Sequence, residues 1–100
     1  MMSTFFCKLL PPRPTFALDM TDEERALMQA HGEYWKRSVE RGDAIVFALV
    51  ADPVAPYGIR IIELEDELAV RRFADGDPVI VANRGFRYEI LTMPFGATHR

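Results

Sequence analysis

Two segments of this sequence have the length of β-strands and are apolar on both of their faces. Residues 44–50 form an unbroken apolar run, and residues 57–65 carry Ile59 and Ile61 on one side and Ile62 on the other. An antiparallel strand with one face in water is expected to alternate apolar and polar residues. Both faces of these strands therefore require burial, which limits the folds that this chain can adopt.

The first part of the chain predicts a strand, a loop and a long helix. Residues 3–10 mix aromatic and aliphatic side chains and stop at a proline cluster, which cannot donate the hydrogen bonds of a continuing strand. The prolines hold residues 11–20 extended as a loop, and such loops often line binding sites. Thr21 and Glu24 then form a capping box that begins the helix, and Gly42 ends it.

The second part of the chain predicts four further features. They are a hairpin, a short helix, a last strand and a C-terminal tail, over residues 44–50 with 57–65, 66–74, 86–92 and 93–100. Leu68 and Val70 are expected among the apolar contacts of the short helix. Gly76 breaks that helix, and a linking segment leads from there to the last strand.

The order of elements, βαββαβ, is that of the ferredoxin-like α+β fold, in which two helices lie against one face of a four-stranded antiparallel sheet. A chain of 100 residues has room for one domain, so residues 1–100 are assigned to a single domain. Because the helices cover only one face, we expect the other face to pack on a second copy and form a homodimer. The alternative is a monomer in which the Pro-rich loop and the tail cover part of that surface.

Composition and charge exclude several classes of function. The net charge of −3 and the pI of about 5.3 do not suit a protein that neutralises phosphates, so no nucleic-acid partner is expected. The apolar run near the N-terminus is too short to cross a bilayer, and no membrane association is expected. With Cys7 alone there is no internal disulfide, which favours the cytoplasm. The two histidines lack zinc-ligand spacing, and neither a metal nor a cofactor is expected.

His31 is a polar residue near the middle of the apolar stripe on the long helix. At 100° per residue it shares one face with Met28 and Trp35, and Tyr34 and Trp35 are expected to act as core and interface packing. Buried ring nitrogens without partners cost on the order of a few kcal/mol, so His31 needs a polar partner. Asp77, held in a Gly-Asp-Pro break, is the candidate, because a carboxylate on one ring nitrogen orients the other for acid/base chemistry. The alternative is a satisfied core histidine, with Asp77 only capping a local turn.

The ordered set of segments along the chain resembles the YCII-related (YciI-like) family. The segments that carry the resemblance are Phe5-Phe6-Cys7-Lys8-Leu9, Pro11-Pro12-Arg13-Pro14-Thr15-Phe16, Asp19-Met20-Thr21, His31, Tyr34-Trp35, Ala51-Asp52-Pro53, Tyr57-Gly58, Asp77-Pro78 and Phe86-Arg87-Tyr88-Glu89-Ile90. The resemblance implies a dimeric α+β barrel with a His–Asp pair as the proposed active site, and those positions match His31 and Asp77. Ala48-Leu49 replaces the family's usual Gly-Pro, which is expected to narrow or reshape the pocket beside the second strand.

The sequence predicts a small-molecule enzyme that uses His31 and Asp77 for proton transfer without a cofactor, in an elimination or isomerisation. The alternative is a non-catalytic small-molecule-binding or partner module on the same dimeric barrel. A polar pocket holding both side chains favours the enzyme, and a dry His31 sealed beneath the sheet favours the binding module. Arg13, between two prolines, is a candidate for binding the carboxylate or phenolate of a substrate, or else a solvated loop arginine.

Overall fold

The computed structural model describes residues 2–96, which form one antiparallel sheet of four strands with helices on one face. The elements in chain order are β1 (Ser3–Leu10), α1 (Phe16–Asp19), α2 (Asp22–Arg41), β2 (Ala44–Val50), β3 (Tyr57–Leu64), α3 (Glu67–Asp75), α4 (Pro78–Val81) and β4 (Arg87–Thr92). The strands are ordered β2-β3-β1-β4, and every neighbouring pair is antiparallel. The predicted ferredoxin-like α+β fold is therefore confirmed.

Two short helices correct the predicted connections. The Pro-rich segment, predicted as a loop throughout, contains α1, and the linking segment after Gly76 contains α4. Each has four residues, and one turn is too short to show a helical period in the sequence. Phe16 of α1 is buried against the edge of Phe86, with ring centroids 5.0 Å apart, so this segment packs on the helix side of the sheet. Of the predicted tail, residues 97–100 lie outside the described residues.

The long helix α2 begins and ends where the sequence predicted. The Thr21 hydroxyl accepts a hydrogen bond from the Glu24 amide at 3.1 Å, and the Glu24 carboxylate accepts one from the Thr21 amide at 2.9 Å. Gly42 ends the helix in the left-handed region at φ 87°, where a side chain would be strained. Within residues 2–96, no helix has the length and apolar character needed to cross a membrane.

The short helix α3 presents a different face from the one predicted. Val70 and Ala74 are buried, but Leu68 is 56% exposed, so the prediction that Leu68 contacts the core is wrong. At 100° per residue, Leu68 is turned about 200° away from Val70. The helix can bury only the stripe that contains Val70, and Leu68 is left on the solvent side.

An irregularity in β2 decides which of its side chains face the helices. The pairing with β3 shifts between Ala44 and Val46, so that Ala44 pairs with Ile62 and Phe47 pairs with Arg60. In a regular strand, Ala44 and Phe47 would point to opposite faces, because they are three residues apart. The extra residue of the bulge places both on the same face. Phe47 is therefore turned to the helix side, next to Arg60.

The sheet face away from the helices is apolar and only half buried. Phe6 of β1, Ile61 of β3 and Val46 of β2 are paired side by side across three strands, and all three are partly exposed. Leu91 on β4, which pairs with Phe6, is 62% exposed. These residues form the surface that we call the outer face. Ile62, on the opposite side of β3, is fully buried.

Candidate active site

The structure brings together the two residues that were predicted to form a proton-transfer pair. Nδ1 of His31 on α2 lies 2.7 Å from Oδ2 of Asp77, the residue that precedes α4. Both are buried, with 1% and 0% of their surface exposed. The other carboxylate oxygen of Asp77 accepts a hydrogen bond from the Val79 amide at 3.1 Å. The two predicted alternatives for Asp77, histidine partner and turn cap, are thus combined in one carboxylate.

Three donors converge on the Oδ2 atom of Asp77. Besides His31, the indole N–H of Trp35 donates to it at 2.8 Å and the hydroxyl of Tyr88 donates to it at 2.6 Å. Burial alone would raise the pKa of Asp77, but the hydrogen bonds from His31, Tyr88 and Trp35 outweigh it and lower the pKa below its ordinary value. Burial, joined by the charge of Asp77, raises the pKa of Tyr88, which keeps the phenol protonated as a donor. The negative charge of Asp77 is therefore stabilised by three hydrogen-bond donors.

Like Tyr88 on β4, Arg60 on β3 is a residue of this site that the sequence predictions missed. It is 2% exposed, and its Nη2 atom contacts Nε2 of His31. The guanidinium lies over the ring of Phe47, 4.7 Å from its centroid, and 5.4 Å from that of Trp35. A signal was present in the sequence. Because Ile62 faces the core, the residue two positions earlier faces it too, and an arginine there is an anomaly.

The contact with Arg60 determines the tautomer of His31. A guanidinium has five N–H donors and no acceptor, so Nε2 of His31 must be the acceptor in this contact. The ring proton then lies on Nδ1, where it is donated to Asp77. In this arrangement a neutral imidazole lies between a cation and an anion, and its two nitrogens are both occupied.

Gly58 provides the space that Arg60 occupies. A Cβ atom at position 58 would overlap Nη1 of Arg60. Although enclosed, Nε and Nη1 of Arg60 have no hydrogen-bond partner among residues 2–96. Burial lowers the pKa of this guanidinium, and the neighbouring Tyr88 and Asp77 partly oppose that effect. The site thus contains a buried cation with unused donors.

A cavity of about 400 Å³ opens beside His31 and Arg60. Most of its wall is apolar, and the larger apolar side chains are Leu9, Phe16, Met20, Met28, Phe47 and Phe86. His31, Arg60 and Tyr57 contribute the polar side chains of the described lining. Asp77 lies behind His31 and does not reach the wall, so this cavity is not the polar pocket holding both side chains that was expected to favour an enzyme. Ala48 and Leu49 are part of the lining, and the expectation that they narrow or reshape the pocket beside β2 stays a prediction.

Arg13, the candidate for binding the carboxylate or phenolate of a substrate, is paired with two carboxylates of the chain itself. Its guanidinium donates to both carboxylate oxygens of Glu24 at 2.8 Å and to Asp19 at 2.8 Å. The hydrogen bonds from Arg13, followed by that from the Thr21 amide, lower the pKa of Glu24 to about 2. Arg13 is not among the described residues that line the cavity. A role in binding a substrate anion stays a prediction for a residue that already has two carboxylate partners.

Other reactive groups of the described chain are not arranged for chemistry. Cys7 is fully buried, and burial raises the pKa of its thiol to about 11. A protonated thiol is a poor nucleophile. Within residues 2–96, no three His, Cys, Asp or Glu side chains cluster as metal ligands. The His31–Asp77 pair and Arg60 are therefore the groups from which a function is argued.

The fold and the site together define a ferredoxin-like α+β domain with a buried His–Asp pair behind an apolar cavity. The model of the YCII-related domain matches residues 4–94 of the chain. The chain therefore belongs to the YCII-related family, as the resemblance in its sequence indicated. No curated protein matches it.

Proposed function

We propose that this protein is a small-molecule enzyme in which His31 is the general acid/base and Asp77 orients it, without a cofactor. The observation that supports this most is the 2.7 Å contact between His31 and Asp77 directly behind the wall of an apolar cavity. A histidine held in one tautomer by a carboxylate is a common proton-transfer group. An apolar cavity excludes water that would otherwise compete for the proton.

The proposed chemistry is proton abstraction from a substrate carbon by Nε2 of His31. The proton on Nδ1 stays in its hydrogen bond to Asp77, whose negative charge stabilises the imidazolium that forms. In an elimination, the C–H electron pair becomes the new double bond while the leaving group departs with its own bonding pair. In an isomerisation, the same nitrogen returns the proton to a second carbon. Proton transfer of this kind contributes roughly 10²–10⁴-fold to a rate.

Proton exchange with D₂O tests this proposal without a known substrate. A panel of small carboxylic acids, ketones and β-substituted acids is incubated with the protein, and NMR follows the loss of C–H signals or the release of a leaving group. His31→Gln and Asp77→Asn should each lower the fastest rate by roughly 10²-fold or more, with the fold retained by circular dichroism. Leu68→Ala, exposed on α3, should behave as the parent. Parent-level exchange by His31→Gln would refute the assignment.

A non-catalytic small-molecule-binding or partner module is the second candidate. It is favoured by the occupation of His31 Nε2 by Arg60 and by the near-complete burial of the ring. This candidate predicts that panel members bind in the cavity and are not turned over. Calorimetric binding by the parent protein, with C–H exchange at the uncatalysed rate for every bound compound, would select it over the enzyme.

We also propose that the protein is a homodimer that pairs through the outer face. The half-buried row of Phe6, Ile61 and Val46 supports this, because a monomer would leave that row in water. Ile61→Asp should convert the dimer to a monomer in light scattering at micromolar concentration. Leu68→Asp, on the helix side, should leave the dimer intact. A parent protein that is monomeric under these conditions contradicts the proposal.

A further inference from the structure

We propose that Arg60 is the anion-binding residue of the cavity and that its ligand is a small organic acid with one carboxylate and an apolar body. This inference rests on the proposed function of the same cavity and names the class of molecule that it takes. His31 provides the acid/base group, and Arg60 provides the selection for charge.

The charge of Arg60 has no partner of its own. None of the carboxylates of residues 2–96 forms an ion pair with it, and Asp77 contacts the far nitrogen of the His31 ring. Its Nε and Nη1 atoms are enclosed and have no hydrogen-bond acceptor in that part of the chain. Burying a cation with unused donors is unfavourable, and a ligand carboxylate would supply both the missing charge and the missing acceptors.

Aromatic rings stabilise this cation in a way that leaves its donors available. The guanidinium carbon is 4.7 Å from the centroid of Phe47, 5.4 Å from that of Trp35 and 5.8 Å from that of Tyr88. Aromatic faces attract a guanidinium through their quadrupole and do not use its N–H groups as acceptors would. Nε and Nη1 therefore remain without acceptors, and a carboxylate that replaces His31 as the partner of Nη2 can take two parallel hydrogen bonds from the planar fork.

The wall of the cavity indicates the rest of the ligand. Arg60 is the one Lys or Arg among the described lining residues, and no Asp or Glu is among them. One fixed positive charge suits a monocarboxylate better than a polyanion. The apolar side chains of Phe16, Phe47 and Phe86 suit an aromatic or branched aliphatic body, and about 400 Å³ accommodates a molecule of that size.

Binding of a carboxylate ligand at Arg60 also frees the Nε2 atom of His31. In the free protein, an N–H of Arg60 donates to Nε2 of His31 and occupies the lone pair that proton abstraction needs. A carboxylate that takes the donors of Arg60 draws the guanidinium from His31 and frees that lone pair. The same contact therefore selects the ligand and exposes the proton acceptor only when the ligand is present.

Calorimetric titration with three probes, benzoate, phenylacetate and 3-methylbutanoate, tests the inference, with benzamide as the neutral control. Arg60→Met should weaken binding of the best probe by roughly 10- to 100-fold, and Arg60→Lys should recover part of the loss because it restores the charge without the fork. Benzamide should bind the parent and Arg60→Met equally. The inference is overturned if no probe binds the parent at millimolar concentration, or if Arg60→Met binds as the parent does.

Two further variants separate this inference from the proposed enzyme and from a folding defect. His31→Gln keeps an acceptor for Arg60, so it should bind the probe within about threefold of the parent even where proton exchange is lost. Loss of binding in His31→Gln together with intact binding in Arg60→Met would assign the anion site to His31 instead. Arg60→Gln retains a donor to His31 and serves if Arg60→Met does not fold. In the parent, the probe should also shift the ¹⁵N resonance of His31 Nε2, and an unmoved resonance would contradict the release of the base.

Discussion

Two arginines of this chain lie in opposite surroundings. Arg13 on the Pro-rich segment is about a third exposed and shares its donors between the carboxylates of Glu24 and Asp19. Arg60 on β3 is nearly sealed, lies among aromatic rings and has no carboxylate of its own within the described residues. The exposed cation is saturated with partners and the buried one is not.

The different surroundings of Arg13 and Arg60 indicate which of the two is available for a ligand. Arg13 already has two carboxylate partners and is partly exposed, so it gains little from a further anion, because water and those carboxylates screen its charge. A buried cation gains far more from a new anion, because few dipoles around it compete. The donors left unused by the fold, and not the exposure of the side chain, therefore point to the binding group.

The largest expected effect is the loss of stability when Asp77, near Arg60, is replaced, compared with the replacement of Asp19, near Arg13. Asp77→Ala removes the charge that lies across His31 from Arg60. It leaves the Tyr88 hydroxyl without its acceptor and leaves the Trp35 indole N–H with only the Tyr88 hydroxyl as an acceptor. We expect this change to lower the free energy of unfolding by ~3–5 kcal/mol, measured by urea denaturation. Asp19→Ala, which removes an exposed partner of Arg13, should cause a much smaller change. Equal losses of unfolding free energy in Asp77→Ala and Asp19→Ala would contradict the expected difference between the surroundings of Arg60 and Arg13.

An intermediate effect is expected from the glycine that makes room for the buried arginine. Gly58→Ala places a methyl group against Nη1 of Arg60 and should destabilise the fold by ~1–3 kcal/mol through overpacking. Gly32 lies on α2, and a Cβ atom there would meet nothing within 4 Å. Gly32→Ala should therefore leave the stability unchanged or raise it. In an Arg60→Met background, most of the cost of Gly58→Ala should disappear. A cost that persists there would show that the backbone, and not Arg60, requires the glycine.

The smallest effect is a dependence of stability on pH at the Arg13–Glu24 pair. The folded-state pKa of Glu24 is about 2 against an ordinary 4.5, chiefly because of Arg13. A depressed pKa stabilises the fold above the ordinary value, and this contribution is lost as the pH falls from 4.5 through about 2. Glu24→Gln and Arg13→Met should each flatten the pH profile of the urea midpoint in that range, and the double variant should add little more. Additive losses would mean that the two residues stabilise the fold independently.

The elements with local signals were predictable from the sequence. The capping box of Thr21 and Glu24 and the left-handed Gly42 act within one turn, so the bounds of α2 follow from nearby residues. The helices α1 and α4 were not predictable, because one turn buried by distant contacts has no periodicity of its own. The position of His31 on the buried stripe followed from the same local periodicity.

The site was predictable only in part. The pairing of His31 with Asp77 was expected from the need of a buried histidine for a partner, together with the family resemblance, and the two residues do meet. That Trp35 and Tyr88 also donate to the same oxygen depends on how α2, α4 and β4 pack. Hydrogen bonds between residues far apart in the chain have no local signature.

The sequence alone predicted the order of the four strands with the helices α2 and α3, the apolar faces of the strands and the burial of His31, because these depend on periodicity and on neighbours in the chain. Only the tertiary structure decided which arginine faces the cavity. The bulge in β2 turns Phe47 to the helix side, and the pairing of β2 with β3 then places that ring over Arg60. A strand register is set by contacts between distant segments, and a shift of one residue reverses every side chain.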